Sequence, residues 1–95
     1  MAELSFEWDE AKNEANIRNH GIDFLDAALI FENPRMEAID DRADYGELRW
    51  IALGLSDEAV LRVVYTWRGE NVVRIISARR ANRRDAEKYY REIFT

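Results

Sequence analysis

Two kinds of residue give this sequence the means to act on a charged substrate: a concentration of arginine near the C-terminus and a single histidine. From Arg74 to Arg91 the chain carries Arg74, Arg79, Arg80, Arg83, Arg84, Lys88 and Arg91 against only Asp85 and Glu87, although its formal charge as a whole is −5. Positive charge is therefore local. A guanidinium is planar, stays protonated at physiological pH and donates two parallel hydrogen bonds to a phosphate or carboxylate. Such a cluster can bind phosphate even on an acidic protein, because binding follows the local potential. His20 is the one side chain of a type that exchanges protons near neutral pH, which suits general acid or base work. Lys12, Asn16 and His20 recur at i, i+4 and i+8, along one helical stripe that could wall a cleft.

Each of these residues also has a plainer reading. An exposed arginine is usually solvated or paired with one of the nineteen acidic residues. A histidine at a helix end can bond a C-terminal carbonyl beside Gly21. Lys12 and Asn16 read as structural, with Asn16 tying the helix to a loop. Glu7 and Asp9 flank Trp8 and could serve as a base, but a carboxylate before a helix is more commonly its cap. Trp8, Trp50, Trp67, Tyr65, Tyr89 and Tyr90 could stack on bases, yet a small domain needs large side chains to fill its core.

Composition narrows the field. With 95 residues and 47% hydrophobic content, the whole of 1–95 is expected to form one domain around one core. The absence of cysteine excludes disulfides, thiolate metal sites and a cysteine nucleophile, and one histidine excludes a multi-histidine metal site. Neither a metal nor an organic cofactor is expected. Apolar runs fall well short of the ~20 residues of a membrane span, and the first residues lack a basic and apolar leader, so a cytoplasmic protein is expected.

The elements that must position the charged residues follow from periodicity. Leu4 to Trp8 alternates as a short strand, Asp9 caps a helix over Glu10 to Asn19 with Ala11, Ala15 and Ile17 as its small or apolar positions, and Gly21 ends it. Asp23 caps a second helix, with Phe24, Ala27, Ala28 and Phe31 at helical spacing, stopped at Asn33-Pro34. Strands are expected at Met36–Ile39, Leu48–Leu55, Val60–Trp67 and Val72–Arg79, then a helix over Arg83–Phe94 that places Ala86, Tyr89, Tyr90, Ile93 and Phe94 near one side. A two- or four-residue loop within Arg68–Asn71 sets Tyr65 opposite Arg74 and Arg62 opposite Ser77. In that register Leu61, Val63, Tyr65, Trp67, Val72, Ile76 and Ala78 form the greasier face, with Arg74 next to Tyr65. Arg62, Val64, Thr66, Val73, Ile75, Ser77 and Arg79 form the open one. Arg80 points away from Arg79 unless the strand end bulges. The result is an α+β domain of order β-α-α-β-β-β-β-α.

Three groups of residues carry a family likeness. They are Phe6-Glu7-Trp8-Asp9-x-x-Lys12-x-x-x-Asn16-x-x-x-His20-Gly21, then Phe24-x-x-Ala27 with Phe31-x-x-Pro34, then Arg74-Ile75-Ile76-Ser77-Ala78-Arg79-Arg80-Ala81. Together they resemble the BrnT family, toxins of type II toxin–antitoxin modules, over nearly the whole chain. The resemblance implies a RelE/ParE-like fold with an antiparallel sheet flanked by helices, and a ribonuclease that blocks translation when free. It also implies a BrnA-like partner, a ribbon-helix-helix antitoxin through which the pair reaches its operator DNA. Many members have lysine before the histidine-glycine pair; this chain has Asn19, with Arg18 adjacent.

Cleaving RNA without a metal requires activation of the 2′-hydroxyl, stabilisation of charge on the phosphate and protonation of the leaving 5′-oxygen. Arg62 and Arg79, sharing the open face, are the leading catalytic candidates with His20. Lys12, Arg74, Arg80 and Arg83 are candidates for holding RNA. The same basic patch could dock an acidic antitoxin segment. The alternative to a toxin enzyme is a module that binds the antitoxin as co-repressor without catalysis, a reading to which Asn19 and the acidic balance lend weight.

Overall fold

The computed structural model describes residues 3–57 and 59–95. In chain order they form β1 (Ser5–Glu7), α1 (Glu10–His20), α2 (Phe24–Ala28) running into a 3-10 turn (Leu29–Glu32), β2 (Arg35–Ile39), β3 (Trp50–Ser56), β4 (Ala59–Trp67), β5 (Val72–Arg80) and α3 (Arg83–Phe94). The strands make one sheet in the order β1-β5-β4-β3-β2. It is mixed, not wholly antiparallel as expected, because β1 pairs in parallel with β5. A parallel pair needs a long connection, and every other strand and both N-terminal helices lie between these two.

The caps fall where the sequence places them. The Asp9 carboxylate accepts from the Lys12 N–H at 3.0 Å, and Gly21 takes a left-handed φ of 71° while its N–H reaches the Ile17 carbonyl at 2.8 Å. The face that α1 buries differs from expectation: Ala11 and Ile17 are exposed, and Asn13 and Asn16 are buried. Each amide is satisfied. Asn13 accepts from the Phe24 N–H at 2.9 Å and donates to Asp23 at 3.2 Å. Asn16 donates to the carbonyls of Ala78 at 2.7 Å and Ile22 at 2.9 Å, and accepts from the Ala78 N–H at 3.1 Å. It thus meets both backbone groups of Ala78 as a neighbouring strand would, beyond the point where the three-residue β1 stops pairing.

After Ala28 the tighter 3-10 turn rotates Ile30 into the core where a continued α-helix would have placed Phe31. Ile30 approaches β3 at Gly54, where an added Cβ would stand 2.7 Å from the Ile30 Cβ. Phe31 stays half-buried and meets Tyr65 edge-on, with centroids 5.1 Å apart. The main core joins Ile22, Phe24, Ala27 and Ile30 to Ala52, Leu61, Val63, Tyr65, Val73, Ile75 and Ala78.

Val73 and Ile75 in that core correct the expected hairpin. A three-residue turn, 69–71, closed by the Arg68 N–H on the Val72 carbonyl at 2.8 Å and made possible by Gly69 at φ 89°, sets Trp67 opposite Val73 and Tyr65 opposite Ile75. A bulge then leaves Ile76 without a partner, so Val64 meets Ser77 and Arg62 meets Arg79. The expected pairs Tyr65–Arg74 and Arg62–Ser77 do not form. Inward positions on β5 near the turn are Val73 and Ile75, not Val72 and Ile76.

On the opposite face of the sheet α3 lies across β3. Its Asn82 cap accepts from the Asp85 N–H at 2.8 Å, and Tyr89 is wholly buried, donating to the Pro34 carbonyl at 2.7 Å. The strip it covers is narrower than the sequence suggests: Ala86 and Ile93 are half-buried, while Tyr90 and Phe94 are exposed.

Candidate active site

The second face of the sheet carries Val60, Arg62, Val64 and Thr66 from β4 and Arg74, Ser77 and Arg79 from β5, since cross-strand partners share a face. At its centre Arg62 and Arg79 are direct partners. Like charges set opposite one another on adjacent strands destabilise a sheet, so this pairing runs against folding stability. Among the described residues the ion pairs of arginine involve Arg35, Arg42, Arg49, Arg74 and Arg83. Arg62 and Arg79 are half-buried and have none. Partial burial, then the charge of Arg79, then that of Arg42, push the Arg62 guanidinium below its ordinary pKa, with Asp40 and Asp85 opposing. It nevertheless remains a cation at physiological pH. Facing guanidiniums without a carboxylate partner have the donors to receive an oxyanion.

The other candidates are distributed around this centre. Arg74 shares the face, paired with Thr66, and does not lie inward beside Tyr65; the odd turn length moves it across. Its Nη1 is held by Glu7 at 2.6 Å, which also gives Glu7 an ion-pair role. Arg80 pairs with Leu61 and projects from the helix-covered side, where it lines a cleft of about 780 Å³ with Gly21, Ile22, Asp26 and Asp57. Arg83 is exposed on α3 and bonds Glu87 one turn on, at 3.0 Å. Lys12 and His20 are exposed at opposite ends of a stripe whose middle residue is the buried Asn16. Asn16 fastens α1 to the backbone of Ala78, whose side chain faces the main core and not the face of Arg62 and Arg79; among the described residues no hydrogen bond joins His20 to either arginine.

One buried ion pair is not among the residues singled out from the sequence. Just past β2 the Asp40 N–H bonds the Arg49 carbonyl at 2.8 Å and prolongs the strand pairing. The Asp40 side chain is fully buried, and Arg42 grips both of its oxygens through Nε and Nη2, each at 2.7 Å. That grip holds the Asp40 carboxyl well below the usual carboxylate range and raises the Arg42 guanidinium. The signal was available: residues two apart in an extended chain share a face, so an Asp-x-Arg pair at a strand end can close on itself.

A family model described as "Ribonuclease toxin, BrnT, of type II toxin-antitoxin system" matches residues 8–85. The chain belongs to the BrnT family. The match spans Trp8, His20, Arg62, Arg79 and the Asp40–Arg42 pair, so every residue of the site lies inside the family domain. Among solved structures the chain is similar to the Brucella abortus ribonuclease toxin BrnT, with a TM-score of 0.65 and 26% identity over 84% of this chain and 99% of that one. No curated protein matches it. Membership assigns the chain to the ribonuclease toxins of type II toxin–antitoxin systems, with an antitoxin as the implied partner. An α+β fold with a five-stranded mixed sheet is common ground with the Brucella protein. Among the described residues no helix is long and apolar enough to cross a membrane.

Proposed function

We propose that this BrnT-family protein is a metal-independent endoribonuclease that arrests translation and is neutralised by a BrnA-like ribbon-helix-helix antitoxin. In this reading 1–95 is a single toxin domain of RelE/ParE-like type, acts in the cytoplasm and reaches operator DNA only through the antitoxin. The observation that carries it is the facing, half-buried pair Arg62 and Arg79, without a carboxylate partner among the described residues. Their forks hold the two non-bridging oxygens of the scissile phosphate. As the neighbouring 2′-hydroxyl passes its proton to water and its oxygen attacks phosphorus, a new P–O bond forms, negative charge grows on the non-bridging oxygens and the P–O5′ bond breaks. Donors already in place stabilise that charge without reorganising. The products are a 2′,3′-cyclic phosphate and a 5′-hydroxyl. A water molecule supplies the proton to the departing oxygen, and Lys12 and Arg74 steer flanking RNA.

RNA incubated with the purified protein in excess EDTA tests this. Fragments ending in 2′,3′-cyclic phosphate, together with growth arrest on induction, are expected. Intact RNA and normal growth would instead favour the co-repressor module. Antitoxin covering the arginines would account for inhibition, since an acidic segment satisfies the same forks.

A further inference from the structure

We propose that Arg42, locked by the buried carboxylate of Asp40, forms a second phosphate subsite beside Arg62 and Arg79 and takes the RNA phosphate next to the scissile one. This inference rests on the assignment of Arg62 and Arg79 to the scissile group.

Three observations support it. First, Arg42 is aimed. Its Nε and Nη2 are fixed on an Asp40 side chain with no solvent exposure, and its own backbone N–H also reaches Asp40 Oδ1 at 3.3 Å. A long flexible side chain normally loses rotamer entropy when it grips a ligand; here the fold has already fixed it. Second, it keeps donors free. A guanidinium has five N–H groups, and Asp40 engages Nε and one N–H of Nη2. Tyr45 stands beside the same pair, and the hydrogen bonds to Asp40 leave the Nη1–Nη2 edge, the edge that forks onto phosphate. With the side chain 56% exposed, that edge is open to solvent. Third, it shares the face: the Asp40 N–H on the Arg49 carbonyl carries the register one pair past Ile39, Trp50 and Tyr65, in line with Thr66 on the face of Arg62 and Arg79, and the Arg42 charge acts on Arg62 from there. Arg79, Arg62 and Arg42 therefore come from β5, β4 and the loop after β2, three separate stretches of chain. A polyanion with regularly spaced phosphates satisfies all three; one carboxylate cannot.

The test uses an oligonucleotide made of 2′-O-methyl residues, which binds but cannot be cut, and measures its Kd across a salt series. Because Arg42→Ala alone would strand a buried carboxylate, the comparison is between wild type and the double variant Asp40→Asn/Arg42→Gln, with thermal melting confirming that both fold. Removing one cation from the phosphate backbone lowers the slope of log affinity against log salt by about 0.7. Affinity at low salt is expected to fall roughly tenfold, the effect of removing one charge-assisted fork. With cleavable RNA, the ratio of kcat/KM between a long substrate and a dinucleotide is expected to fall by a similar factor. An unchanged slope, or failure of the wild type to bind the oligonucleotide, overturns the subsite. So does an unchanged slope with weakened antitoxin binding, which assigns Arg42 to the antitoxin. If the slope falls but RNA is never cut, the phosphate site stands and the ribonuclease reading fails.

Discussion

At the scale of single residues, the arginines of this chain separate into those the fold has neutralised and those it has left in tension. Glu7 holds Arg74 and Glu87 holds Arg83, whereas Arg62 and Arg79 face one another. Arg79→Lys keeps the charge and removes the planar fork, so it is expected to lose about a hundredfold in cleavage rate while melting like the wild type. Single-turnover kinetics and a thermal melt, measured together, separate the two effects. Asn16 is the opposite case, a residue whose work is structural. Asn16→Ala leaves the N–H and carbonyl of Ala78 and the carbonyl of Ile22 without it, and denaturant unfolding is expected to show a loss of about 3 kcal/mol. Asp40 adds a pH signature. Its carboxyl is depressed by Arg42, so its contribution to stability is full above the unfolded value of about 3.9 and is lost as the pH falls towards the folded value. The gap in melting temperature between wild type and Asp40→Asn should therefore narrow below about pH 4, and a gap that stays constant in acid would contradict the assignment.

At the scale of elements, two small irregularities set the register of the hairpin that carries the site. The turn at Gly69 is one residue longer than the two-residue alternative, and the bulge at Ile76 adds a further offset. Arg62 and Arg79 keep the same face as expected because two odd steps restore the parity; between them the parity is inverted, which is why Val73 and Ile75 are core and Arg74 is on the open side. Periodicity revealed the strands, helices and their order because burial imposes it on every residue. It could not reveal the bulge, which leaves no mark in a run of β-branched residues, or the parallel pairing of β1, which depends on distant chain. Nor could hydropathy find the buried face of α1, because Asn13 and Asn16 are buried through hydrogen bonds and not through apolar area. Deleting Ile76 removes the bulge and leaves Ser77 opposite Val64 and Arg79 opposite Arg62, so cleavage is expected to survive it, with hydrogen exchange reporting continued protection in β4 and β5. The close approach of Ile30 to β3 gives a second test. Gly54→Ala is expected to lower stability by about 1–3 kcal/mol through overpacking against the Ile30 Cβ, read as a fall in the denaturation midpoint.

At the scale of the whole molecule, an acidic protein of formal charge −5 carries a face on which the charges of Arg79 and Arg42 act on Arg62; in the proposed reading RNA follows that local potential and not the net charge. The opposite face holds the main core under α1 and α2, and α3 covers only part of the working side. The proposed chemistry has Arg62 and Arg79 act as one clamp on a single phosphate. Cleavage rates of wild type, Arg62→Ala, Arg79→Ala and the double variant, all measured in EDTA, are the sharpest check. Groups acting as a unit lose most of their effect with the first removal: each single variant should fall by about a hundredfold or more and the double variant little further. Single variants that melt normally and cut RNA at the wild-type rate would contradict it.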